Sequence, residues 1–134
     1  MHIKVDTGMH RQGEDYNAYD NLEHIYKLKN LKIEGTFTHL CTSDSLKDVD
    51  INFSRLQIER FYETIHYLQA KGYDTGKLHI QSSYGILNYP ELTCDYARVG
   101  IALYGVLSDR NNTRLSIDLK PVLSLKARVS IIKN

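Results

Sequence analysis

Four short stretches hold the side chains best suited to chemistry. "KVDTGMHRQG" (4–13) sets Lys4 and Arg11 on either side of a glycine turn, two cations at the exit of a strand. "GTFTHL" (35–40) ends near His39, a ring able to donate, accept or carry charge. "HIQSSYG" (79–85) offers the hydroxyls of Ser82 and Ser83. "RVGIALYG" (98–105) supplies Arg98, then Gly100 and Ile101, where backbone N–H groups at a glycine-containing turn can approach phosphate oxygens closely. Each also has a plainer reading. A strand-end arginine often makes a structural salt bridge, a lone histidine is often a satisfied packing residue, and Gly and Ser near strand ends often only build turns.

The elements that must position these groups follow from apolar periodicity. Strands are expected at 2–5, 33–40, 77–83 and 96–105. A helix is expected within "YDNLEHIYKLKN", and a stronger one carries Phe53, Leu56, Phe61, Ile65 and Leu68 on one stripe with Gly72 as its stop. The order β-α-β-α-β predicts a parallel sheet covered by helices. The reactive residues then fall at the carboxyl ends of successive strands, where a (β/α)8 barrel keeps its site. A whole barrel takes about 250 residues, so about half of one is expected here. After Pro121, "VLSLKARVSII" alternates with period two and reads as an antiparallel strand opening a β-rich region.

Composition narrows the rest. The chain has 134 residues, 42% hydrophobic and 25% charged, an ordinary globular balance. Its 17 basic and 16 acidic residues are interspersed, leaving a net charge of +1 and no basic footprint for nucleic acid or an anionic membrane surface. No apolar run nears the ~20 residues of a bilayer span. Cys41 and Cys94 lack metal-type spacing and read as reduced thiols of a cytosolic protein, and Asp44 and Asp48 form no metal-ligand pattern. The tyrosines are scattered, which suits packing better than base stacking.

The four stretches, in this order and at these intervals, resemble successive barrel-strand motifs of the bacterial alanine racemases, and the likeness runs from Ile3 to about Ile132. "QSSYG", where most alanine racemases have Asn-Ser, resembles the racemase domain of membrane-bound serine racemases from vancomycin-resistance clusters. The resemblance implies an α/β chain: the C-terminal half of a (β/α)8 TIM barrel binding pyridoxal 5'-phosphate (PLP) at 1–118, and the first strand of a β-rich C-terminal domain at 119–134. It implies that Arg98 faces the pyridine nitrogen and His39 lies beside the ring and bonds with Arg98. Ser83, Gly100 and Ile101 would cup the phosphate, with Ser82 where many members have Asn. Arg11 would stand near the substrate carboxylate, and Lys4 at a position carbamylated in many members, where the resulting anion would hold Arg11.

In that family the cofactor lysine precedes, and the opposing tyrosine follows, the matched region, so no catalytic base and no metal site is expected within these residues. The implied activity is PLP-dependent interconversion of L- and D-alanine, or of L- and D-serine, supplying D-amino acid for peptidoglycan. The chain alone is expected to be inactive. The substrate partner is a small amino acid and the full-length protein a homodimer, cytosolic or held at the membrane with this domain in the cytosol. The alternative is a noncatalytic PLP-binding barrel of the cofactor-homeostasis type, which lacks the β-domain.

Overall fold

The computed structural model describes residues 1–133. Four parallel strands form one sheet in the order β2-β1-β3-β4, with β1 at His2–Asp6, β2 at Glu14–Asp15, β3 at Gly35–Phe37 and β4 at Lys77–His79. Helix α1 (Tyr19–Tyr26) joins β2 to β3, α2 (Asp48–Ala70) joins β3 to β4, and the short α3 (Ser83–Asn88) follows β4. The β-α-β-α-β order expected from periodicity is therefore present, and its strands are short.

The alternation in β1 sorts its side chains. Ile3 and Val5 are buried, Val5 in one cluster with Leu22, Leu40, Phe61, Ile65, Leu68, Ile80 and Tyr89, the apolar layer between sheet and helices. His2 and Lys4 point the other way. The register aligns Lys4 with Phe37 and Phe37 with His79, so these three form one row across β1, β3 and β4 on the open face. On α2, Phe61, Ile65 and Leu68 are buried as their spacing predicts, whereas Leu56 is on the exposed side. The buried stripe continues instead through Ser54, Gln57 and Thr64.

Four expected strands are corrected. The run 33–40 pairs only at Gly35–Phe37, because beyond Thr38 the chain is bonded to α2 side chains. The run 77–83 ends at His79, and Ser83 opens α3. The run 96–105 is not a strand. The Asp95 carboxylate takes the Leu78 N–H that a ladder would need, a local side-chain bond competing with sheet pairing. Arg98 N–H still reaches Gln81 O at 2.9 Å, and the chain then coils into a 3-10 turn at Ile101–Tyr104. Among the described residues, 119–133 form no strand. Leu123, Leu125, Val129 and Ile131 are largely exposed, since this alternating run has no neighbouring strand to bond with.

β2 was not foreseen. The turn that brings it back beside β1 is folded around Asp6, whose Oδ1 accepts the N–H groups of Gly8, Met9 and His10. Gly13 closes the turn at φ 101°, and a Cβ there would stand 2.6 Å from Lys4 O. Only glycine tolerates both conditions.

Candidate active site at the strand ends

Arg98 is the hub. Its Nη1 donates to His79 Nδ1 at 2.5 Å and to His79 O at 3.1 Å. Its Nη2 donates to Thr38 O at 2.6 Å, Ile80 O at 3.1 Å and His39 Nδ1 at 3.2 Å. The guanidinium thus ties the exits of β3 and β4 together and lies over the Phe37 ring, 5.0 Å from its centroid. Among the described residues its Nε–H makes no hydrogen bond, so one donor of the fork remains for a ligand.

An arginine gives only donors, and this fixes the direction of the bonds around it. His79 must accept at Nδ1, so it carries its proton on Nε2 and donates to His2 Nδ1 at 2.8 Å. Gly35, on the strand between them, leaves the room this contact needs: an added Cβ would strike the His2 ring. His39 likewise accepts at Nδ1 and carries its proton on Nε2. Both rings are held neutral. Burial, then the Arg98 charge, then His2 push His79 down to about 4, with Asp95 opposing. Burial, then Arg98, Arg11 and Lys4, lower His39.

Lys4 and Arg11 lie at the exit of β1. Lys4 Nζ donates to Gln12 O at 2.5 Å. Burial lowers its pKa most, Asp6 opposes, and Arg11 and Arg98 add to the lowering. Arg11 is exposed, yet close enough to depress both Lys4 and His39. Beneath them burial pushes the Asp6 carboxyl up, and the N–H bonds from Gly8 and His10, the Lys4 charge and the Met9 N–H outweigh it, leaving a net lowering. Asp6, His10 and Asp15 bring ligand-type atoms within 4.8 Å of one another. Two of the three residues are exposed, and Asp6 Oδ1 is already committed to the turn.

Ser83 and the segment after Arg98 form a second cluster. Ser83 Oγ accepts Gly100 N–H at 2.9 Å and Ala102 N–H at 3.2 Å. Both amides are satisfied by the hydroxyl oxygen, which leaves the Ser83 O–H as the donor of this cluster that can turn to a ligand. The second amide is that of Ala102 and not of Ile101, whose side chain is exposed. Ser82 is half-buried and lines a depression of about 180 Å³ with His39, Met9, Cys41, Ser43 and Tyr84.

The expected residues thus fall into two clusters, Arg98 with His39 and Ser83 with Gly100, with Lys4 and Arg11 beside the first. The sequence reading missed His79, His2 and Ala102. His79 had a signal: it stands in "HIQSSYG", at the end of a strand and in register with Lys4.

Comparison with known proteins bears on the family and the fold. The family profile "Alanine racemase, N-terminal domain" matches residues 1–108. An amino-acid racemase of Enterococcus faecalis is 48% identical over 127 residues, covering 94% of this chain and 18% of that protein. An alanine racemase of Carboxydothermus hydrogenoformans is 44% identical over 132 residues, covering 98% of the chain and 35% of the relative. A serine/alanine racemase of Enterococcus gallinarum is 41% identical over 129 residues, covering 96% and 18%. Among solved structures, alanine racemase of Clostridium difficile 630 in complex with cycloserine matches with a TM-score of 0.77 at 26% identity, over 90% of this chain and 33% of that one. The chain spans about a third or less of the length of these proteins.

Proposed function

The chain belongs to the alanine racemase family, its fold is a parallel-sheet part of that family's barrel, and from that premise we propose that it forms the cofactor-ring and phosphate side of an amino-acid racemase site. The observation that carries the proposal is the Arg98 fork, spent on β3 and β4 at both terminal nitrogens with Nε–H left over.

The residues fit PLP. Ser83 would supply its O–H to the phosphate, and the Gly100 and Ala102 amides, bonded to Ser83 Oγ in this structure, would have to turn from it to add their donors. Arg98 would supply a fixed cation to the cofactor ring, and His39 a ring N–H on Nε2. When bound, PLP supplies an electron sink for breaking the Cα–H bond of an amino acid. Arg98 tempers that sink. Burial lowers its pKa from the ordinary arginine value, with Cys94 opposing; a guanidinium still gives up its proton only with difficulty, so a ring nitrogen facing it would stay neutral and draw electrons less strongly. His79 holds the guanidinium in plane and stays uncharged beside it.

At the exit of β1, Arg11 offers its fork to the substrate carboxylate. Lys4 is biased toward the uncharged amine that carbamylation requires. On this reading the two proton-transfer bases would come from outside these residues, which span about a third or less of the relatives' length. The run 119–133 forms no strand here, but its alternating exposed apolar residues would suit pairing with further β segments that complete the site. Assembly as a homodimer, a role in peptidoglycan precursor supply and a cytosolic location follow from the same reading.

The substrate of this reading is alanine or serine, the amino acids in the names of the alanine racemase and serine/alanine racemase relatives. The test is formation of D-enantiomer from L-alanine and L-serine with added PLP. It compares the 134 residues alone with the same residues joined in frame to the flanking segments of the E. gallinarum relative. The joined protein turns over and the chain alone does not. Bound PLP without turnover in the joined protein would favour a cofactor-binding barrel instead.

A further inference from the structure

We propose that Gln57 is the positioning residue for His39, fixing from the middle of α2 the turn whose opposite side is held by Arg98. The inference rests on the reading of His39 as a group that faces the cofactor.

Gln57 is 0% exposed and stands on the stripe of α2 that Phe61, Ile65 and Leu68 make apolar. A buried amide there is costly unless its bonds are made, and all of them run to the strand exits. Nε2 donates to His39 O at 3.1 Å and to Thr7 Oγ1 at 3.2 Å. Oε1 accepts Cys41 N–H at 3.0 Å and faces Cys41 Sγ at 3.4 Å. The orientation of the amide is unique, because a carbonyl can only accept and a backbone N–H can only donate.

The grip extends to Arg98. Thr7 Oγ1 is bonded to Thr38 Oγ1 at 2.8 Å, and Thr38 O accepts Arg98 Nη2. The backbone from Thr38 to Cys41 is thus held from the helix side by Gln57 and from the open side by Arg98, with the His39 ring between. A hydrocarbon at position 57 would fill the volume but orphan His39 O and Cys41 N–H, freeing the turn that sets the ring. Thr64 offers the contrast. It too is a fully buried polar residue of α2, but it bonds Tyr16 O and Arg60 O, away from the site.

The experiment is ring and backbone 15N NMR of the protein, comparing Gln57→Leu with Thr64→Val. In Gln57→Leu the His39 Nδ1 resonance moves toward that of an unbonded ring nitrogen and exchange at the Cys41 amide speeds at least about a hundredfold. Thr64→Val, although also destabilised, changes neither. An unmoved His39 resonance in folded Gln57→Leu overturns the proposal. Should Gln57→Leu not fold, hydrogen exchange of the unaltered protein decides. The Cys41 amide exchanges as slowly as the amides of central α2 if Gln57 holds it, and exchange as fast as at exposed Asp44 overturns the inference. PLP enters neither measurement, so failure here is separable from failure of the racemase reading.

Discussion

Arg98 Nη1 and His79 Nδ1 are joined by a hydrogen bond of 2.5 Å whose donor can only be the arginine. His79 can stay in that bond only while Nδ1 is free of a proton. Its position, 7% exposed beside a guanidinium, enforces this by pushing its pKa down to about 4. The stability consequence has a definite sign. A histidine depressed from 6.5 in the unfolded chain to about 4 in the folded one contributes stability fully above 6.5 and loses it as pH falls toward 4, where the unfolded chain binds the extra proton. The denaturant midpoint of the protein should therefore fall across this window. In His79→Asn, which keeps an acceptor for Arg98 but cannot titrate, the fall should be shallower. Equal slopes in the two proteins would remove His79 from the account.

Arg98→Lys should destabilise by about 2–4 kcal/mol, read from urea unfolding. One ammonium cannot serve the carbonyls of Thr38, His79 and Ile80 together with two imidazoles, and a buried acceptor left without its donor costs about 1–3 kcal/mol. A change under about 0.5 kcal/mol would mean that the fork is not what joins β3 to β4.

Gly13→Ala and Gly72→Ala separate two effects. Both glycines have positive φ, but a Cβ meets nothing within 4 Å at Gly72, whereas at Gly13 it meets Lys4 O. Gly72→Ala should cost only the left-handed penalty, about 1–2 kcal/mol. Gly13→Ala should cost about 3 kcal/mol or more, adding the steric term. Thermal unfolding of the two variants checks the order, and equal losses would contradict the packing at Lys4.

Ser83→Ala should weaken binding of PLP by at least about tenfold, since a lost hydrogen bond to a charged group is worth about 1.5–3 kcal/mol. Ser82→Ala should change it less, because Ser82 faces the depression beside His39 and does not touch the Gly100 and Ala102 amides. Equilibrium binding by PLP absorbance measures both. The reverse order would relocate the phosphate cup.

The parallel order of β1, β3 and β4 and the long α2 were legible because period-two and helical spacing are written in apolar residues. Arg98 with His39 was legible through the motifs that carry them. What sequence alone hid was decided by polar competition. The Asp95 carboxylate takes the Leu78 N–H and keeps 96–105 from becoming a strand. Gln57 and Thr64 are buried on α2 because their partners lie in distant loops, and no periodicity of hydrophobic residues announces that. His79 was passed over because its role depends on Arg98, Phe37 and His2 meeting it from three other segments. The alternating run after Pro121 was read for its pattern, while strand formation also needs a bonded neighbour.

The central claim is that Arg98 keeps the cofactor's ring nitrogen unprotonated. The most direct measurement is the 15N chemical shift of ring-labelled PLP bound to the joined, active protein, with Arg98→Glu alongside. The account predicts the shift of a neutral pyridine nitrogen at neutral pH, moving to that of a pyridinium in Arg98→Glu. A pyridinium shift in the unaltered protein would contradict it.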